Sequence, residues 1–391
     1  MLIDIFKLSP LPQKGDRFFD KKAPHFDIYF MILALLLGFL GSIIVFSAGS
    51  AYAEFRYDDN LFFAKRQIAW LFIGIAVMLT ASKIKPEVYL FLTPFLYVLT
   101  LVLLILVLVI GLSGNGAQRW ISIGPLTLQP SEIAKMTVVM MLAYYFHFKG
   151  DKHFGDKDPL RIFIYCTLIP CSVMAVPILL IMLQKHLSCI IILGLLGLSV
   201  IVASGTNTKY IRFFVIIGII GVTCLALFTD YTKERILVWQ NPEQYKLTGG
   251  WQTLQGLMAI GSGGLLGLGL GNSILKYCYV SEPANDMIFA ILCEELGFVG
   301  AIITLILFAL LIIRGYVLCF RVKNSYERLV IFGIVTKIAI QTLLNVAVVT
   351  NTIPNTGISL PFFSYGGSSL IMILFEIGII LSFSRTARIV K

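Results

Sequence analysis

The chain has 391 residues, of which 58% are hydrophobic and only 13% charged, with a mean hydropathy of +0.89. That balance excludes an ordinary soluble domain, and the apolar runs are continuous rather than alternating, which points to membrane-crossing helices. The net charge of +10 is concentrated in loops and chain ends, a membrane-topology pattern rather than a nucleic-acid footprint, and the seven cysteines show neither a disulfide framework nor metal-type spacing.

Residues 1–27 form a charged cytoplasmic segment without the pattern of a cleavable leader. Ten spans follow, at about 28–49, 67–82, 89–112, 130–147, 160–183, 187–204, 210–228, 286–319, 327–350 and 362–384, and a basic tail, 385–391, closes the chain. The predicted architecture is all-α: one polytopic domain over 28–384 with a long extracytoplasmic loop at about 229–285. The eighth span is longer than one crossing needs and reads as one tilted helix, with Gly297 and Gly300 the places where a break would fall. Loops taken alternately put Lys83, Lys85, Lys149, Lys152, Lys157, Arg161, Lys323 and Arg328 on the same side as both chain ends. The excess of basic residues there makes that side cytoplasmic.

Three polar islands fall on the opposite, outward side. "GNGAQRWISIGPLTLQPSEIAK", residues 114–135, contains a Gly124-Pro125 turn and a helix start at Pro130-Ser131-Glu132. Glu132 and Lys135 are three apart and share a face. "TGGWQTLQGLMAIGSGGLLGLGLGNSILK", residues 248–276, reads as a short amphipathic or re-entrant helix carrying Leu254, Leu257, Met258 and Ile260, followed by glycines that permit close backbone approach. No Gly-Lys-Ser/Thr follows it, so it is no Walker-type phosphate loop. The third island is "TNTIPNTGISLPFFSYGGSS", residues 350–369. Between the second and third, "SEPANDMIFAILCEEL", residues 281–296, sets Asp286 at the mouth of a span and drives Glu294 and Glu295 deep into it. Charge at that depth faces a bundle interior or a wet cavity.

These motifs, in this order, resemble the SEDS family of shape, elongation, division and sporulation proteins typified by RodA, FtsW and SpoVE. The resemblance covers about residues 30 to 385, and the "GLGNS" and "SLPFFSYGGSS" forms are nearer FtsW and SpoVE. It implies a peptidoglycan glycosyltransferase of the bacterial cytoplasmic membrane, active on its outer face. Its implied substrate is the lipid-linked precursor lipid II and its implied partner a class B penicillin-binding protein transpeptidase. Two departures stand out. The family often reads Pro-Glu-Ala-His-Thr-Asp where this chain has Ser281-Glu282-Pro283-Ala284-Asn285-Asp286, and Gln-Pro-Asp-Leu-Gly where it has Gln184-Lys185-His186-Leu187-Ser188. The first keeps its aspartate; the second loses its acid.

Polymerisation requires a base for the attacking sugar hydroxyl and a cation, or a divalent ion such as Mg or Mn, for the departing pyrophosphate. Asp286 is the candidate base, against the plainer reading that Asn285 or Asp286 caps the helix. Arg119 and Arg235 are candidate phosphate contacts, against anchoring of Arg119 with Trp120 in an aromatic belt. Glu132, Lys135, Lys276, Glu294, Ser364 and Ser368 complete the candidate substrate-binding set; Glu294 could equally pair with Lys337 or Lys135, and Lys276 could be a solvated loop charge. His186 reads as the cap of the sixth span. Two other functions fit the same polar residues at depth: a flippase for the lipid precursor, and a noncatalytic scaffold.

Overall fold

The computed structural model describes residues 26–114, 117–123, 126–150, 158–206, 209, 210, 212, 215, 216, 218, 221, 230–247, 249–277 and 283–387. The expected span at 210–228 lies almost wholly outside the described residues, as do most of the N-terminal segment and the basic tail.

Three long helices open the described chain: α1 Ile28–Tyr57, α2 Phe62–Lys83 and α3 Pro86–Ile110. A small antiparallel sheet follows, β1 Leu112–Gly114, β2 Ala117–Ile123 and β3 Leu126–Leu128, with Leu112 opposite Trp120 and Ile121 opposite Leu128. The first polar island thus folds as a sheet feeding α4, Pro130–Tyr145, whose Pro130 takes the first helical turn where its missing N–H costs nothing. Next come α5 (Leu160–Leu183, with a π-helical turn at Ile164–Leu168) and α6 (Leu187–Ala203). The long loop expected at 229–285 contains two helices, α7 Asp230–Gln240 and α8 Gly250–Ser262. The chain then runs through α9 Ile288–Arg321, α10 Ser325–Val349 and α11 Gly367–Ser384.

Among the described residues, α1, α2, α3, α5, α9, α10 and α11 are long and apolar enough to cross a membrane. Their outward faces show it: Phe91, Phe95 and Val109 of α3 are 68%, 62% and 74% exposed, a surface suited to lipid rather than water. The interior is formed by α10 and α11 against α2, α4 and α9, with Ile331, Leu374, Ile377 and Leu381 wholly buried. At one end Asp27 ties three elements together. Its carboxylate accepts from Phe30 N at 2.9 Å and so caps α1, binds the Arg314 guanidinium of α9, and its own N–H donates to Ser384 of α11 at 3.0 Å.

The eighth span departs from the single tilted helix expected of it. Gly297 has φ 67° and ψ −170°, so α9 is two helices meeting at a break. A break leaves carbonyls and N–H groups without intrahelical partners, and the glycine-rich strand after α8 supplies them. Leu268 N donates to Glu294 O at 3.0 Å and Gly269 N to Glu295 O at 2.9 Å, while Phe298 N and Val299 N donate to Gly264 O and Leu265 O at 2.9 and 3.1 Å. Backbone approaches backbone so closely that a Cβ on Gly267 would lie 2.2 Å from Glu295 O, and one on Gly297 2.3 Å from Gly267 N. Non-helical backbone is tolerated at depth where protein surrounds it and satisfies its polar groups.

Candidate active site

Asp286 ends the turn that leads into α9 and is half-buried. Its Oδ1 receives Gln252 Nε2 from α8 at 3.4 Å, and its backbone oxygen receives Asn345 Nδ2 from α10 at 2.8 Å. The same Asn345 amide donates to Ile358 O at 2.7 Å. The third polar island is thereby drawn against the carboxylate, and a Cβ on Gly357 would stand 3.6 Å from Asp286 Oδ2.

That island, residues 350–366, gathers the site. Arg235 of α7 donates to Asn355 O at 2.6 Å, and Asn355 Nδ2 donates to Gln252 Oε1 at 3.1 Å. Trp239 Nε1, one helical turn beyond Arg235, donates to Asn351 O at 2.9 Å, and the Ser188 hydroxyl at the start of α6 donates to Thr356 O. Ser364 donates to Asn285 O and accepts from Leu360 N, both at 2.7 Å, and Tyr365 N donates to Ala284 O at 2.8 Å. Of the residues singled out from sequence, Ser364 meets the neighbour of Asp286, and Arg235 reaches Asp286 only through Asn355 and Gln252. Ser368 stands in the first turn of α11, half-buried.

The other candidates occupy two separate places. At the break in α9, Glu294 accepts from the Ser273 hydroxyl, from Ile274 N at 2.9 Å and from Leu275 N at 3.3 Å. Its partners are loop donors, not the Lys337 or Lys135 considered from sequence, because the glycine strand reaches it first. Lys276 is not a solvated loop charge: it is 2% exposed and reaches Glu295 at 3.2 Å, Ser47 at 3.3 Å and Gly271 O at 2.7 Å. Deeper in the bundle, Lys135 pairs with Glu132 at 2.7 Å and Lys337 binds both oxygens of Glu376 at 2.6 Å. The two pairs feel one another electrostatically, so two cations are matched by two acids where an unmatched charge would be expensive.

Arg119, on β2, donates to Lys185 O at 2.8 Å in the turn between α5 and α6. Beside that turn His186 occupies the cap position of α6, as read from sequence, and caps it through its backbone oxygen, which accepts from Ile190 N at 3.3 Å, while its ring makes no capping hydrogen bond. Burial first, then Arg119 and Lys135, holds this imidazole well below the ordinary histidine range despite the opposing pull of Glu132. The ring is therefore neutral at physiological pH. Among the described residues no group of three or more His, Cys, Asp or Glu side chains converges to hold a metal ion.

Gln252, Asn345 and Asn355 were not legible as site residues. Each is an ordinary amide in a polar stretch or a span, and only tertiary contact places Gln252 and Asn345 on Asp286 and Asn355 on Gln252. The available signal was their occurrence inside the three islands and opposite them.

The chain matches the FtsW, RodA and SpoVE family, described as cell cycle protein, over residues 27–389. It is 37% identical to stage V sporulation protein E of Bacillus subtilis, across 93% of this chain and 98% of that protein. It is 33% identical to the probable peptidoglycan glycosyltransferase FtsW of Geobacter metallireducens, across 93% of this chain and 96% of the other. Its fold is similar to a chain of a solved peptidoglycan synthase complex that coordinates polymerization and crosslinking, with a TM-score of 0.76, 26% identity, and coverage of 92% of this chain and 98% of that one.

Proposed function

The chain belongs to the FtsW, RodA and SpoVE family of cell cycle proteins, and we propose that it is an integral membrane peptidoglycan glycosyltransferase that polymerises lipid II with Asp286 as its base. The observation that carries this is the placement of Asp286 at the mouth of a broken helix, bonded through Gln252 and Asn355 to the cation Arg235. Relatives named as peptidoglycan glycosyltransferases support the reaction class. The acceptor's sugar hydroxyl loses its proton to the Asp286 carboxylate as its oxygen attacks the donor's anomeric carbon. The bond from that carbon to the pyrophosphate breaks, and the polyprenyl pyrophosphate leaves. Displacement from the opposite face inverts an α-linked donor to a β-1,4 linkage. General base help of this kind is worth roughly 10²- to 10⁴-fold.

Arg235 and Arg119 are the cations assigned to the pyrophosphate. A planar guanidinium suits bidentate phosphate contact, and Arg235 is held beside the site by its bond to Asn355 O. The excess of basic residues in alternate loops supports both chain ends on the cytoplasmic side and the site on the outer face. The similarity to a chain of a peptidoglycan synthase complex supports a class B penicillin-binding protein as partner.

The test is glycan-chain formation from lipid II by purified protein, alone and with its transpeptidase. Asp286→Asn and Asp286→Ala should both abolish polymer while the protein stays folded. Polymer made by a folded Asp286→Ala protein removes the base. Movement of labelled lipid II across vesicles without polymer would instead support the flippase reading.

A further inference from the structure

A backbone N–H can only donate, and one such group sets the direction of the two amide hydrogen bonds that lead from Asn355 through Gln252 to Asp286. Gly357 N donates to Asn355 Oδ1 at 3.0 Å. That commits the oxygen of the Asn355 amide, so its Nδ2 is the atom that faces Gln252 Oε1, at 3.1 Å. With Oε1 occupied as an acceptor, Gln252 turns its Nε2 to Asp286 Oδ1, at 3.4 Å. An amide has distinct donor and acceptor ends, and hydrogen-bond partners decide which way it points. Here the sequence of partners starts from a group that cannot reverse.

We infer that Gln252 and Asn355 form a relay of fixed polarity that presents a donor to the Asp286 carboxylate, with Gln252 a positioning residue for the base; this rests on Asp286 being that base. The relay is anchored at both ends. Arg235 holds the backbone of Asn355 at 2.6 Å, and Asn345 holds the backbones of Asp286 and Ile358 together at 2.8 and 2.7 Å. The donor fixes the rotation of the carboxylate and favours its ionised form, the form that accepts a proton. The amides of Gln252 from α8 and Asn345 from α10, together with Gly357, lie against Asp286, and Arg235 of α7 is a charged side chain bonded to the relay.

Two substitutions separate polarity from mere packing. Asn355→Asp keeps the acceptor for Gly357 N–H but loses the donor, so Gln252 reverses and sets Oε1 against Asp286. Gln252→Leu deletes the donor outright and serves should the first variant fail to fold. Each variant, shown folded by its melting temperature, should lose about 10- to 100-fold in kcat for lipid II polymerisation with KM changed less than about threefold, the scale of one hydrogen bond to a charged group and of a displaced base. The acidic limb of the kcat–pH profile should also move to higher pH, since the ionised base loses its donor. Asp286→Asn is measured alongside. If that variant still polymerises, the base reading falls; if it is inactive while both relay variants keep wild-type kcat and acidic limb, the relay falls and the base stands. A rise in KM alone would place Gln252 on the substrate and overturn its positioning role.

Discussion

Lys276 and Glu295 lie 3.2 Å apart with side chains only 3% and 0% exposed, and the ammonium also reaches Ser47 of α1 and the Gly271 carbonyl. This cluster clasps the glycine strand to both the broken α9 and α1. A buried pair is not stabilising in itself, yet removing one member leaves the other charge uncompensated. Lys276→Met or Glu295→Gln should therefore cost about 3–5 kcal/mol, read as a lower melting temperature in detergent. Lys276→Met with Glu295→Leu should recover most of that loss, because the double variant leaves no orphan charge. Single variants within about 1 kcal/mol of the parent would show that the clasp holds nothing.

The break at Gly297 gives a second test. Any side chain there must adopt φ 67° and overlap the Gly267 nitrogen at 2.3 Å. Strain of about 1–2 kcal/mol is the smaller part; displacement of the glycine strand adds an overpacking cost of about 1–3 kcal/mol. Gly297→Ala should melt several degrees lower and expose residues 263–271 to protease. Gly261→Ala is the control: a Cβ at that position, inside α8, meets nothing within 4 Å, and the change should be neutral or slightly stabilising.

The helices were legible because a bilayer demands about 20 apolar residues wherever the chain crosses, and nine of the ten expected spans have a described helix in place. The interruption of α9 was not, because a glycine in an apolar run looks the same whether it packs or breaks; the deciding partners, Gly264 to Gly269, come from another loop. Asp286 stood out as a carboxylate at the end of a span. Its partners did not, since Gln252 and Asn355 acquire meaning only when α8 and the 350–366 segment meet. Lys135 and Lys337 were visible as cations that needed acids. Glu132 beside the first was readable from its spacing of three on the same helix, whereas Glu376 for the second depended on packing of α10 against α11.

That second pair carries its own prediction. Lys337 binds both oxygens of Glu376 with side-chain exposures of 2% and 0%. Glu376→Gln keeps the shape but removes the charge, so it should lower stability by about 3–5 kcal/mol, and Lys337→Met should do the same. The combined Lys337→Met and Glu376→Leu protein should unfold nearer the parent than either single variant, in a thermal melt at fixed detergent and lipid. An additive double variant would show that the two groups are stabilised separately.

His186 makes the stability of the fold depend on pH. Its folded imidazole resists protonation because burial first, and then the neighbouring cations, oppose the charged form, whereas in the unfolded chain it titrates near about 6.5. Above that pH both states are neutral and the residue contributes no pH dependence. As pH falls below it, the unfolded state takes up a proton that the folded state refuses, so stability declines by up to about 1.4 kcal/mol per pH unit. His186→Gln removes this difference. Melting temperatures of parent and variant should run parallel from pH 8 to about 7 and diverge from about 6.5 downward, the variant losing less. Parallel curves down to about pH 5 would mean that His186 accepts its proton equally well folded and unfolded.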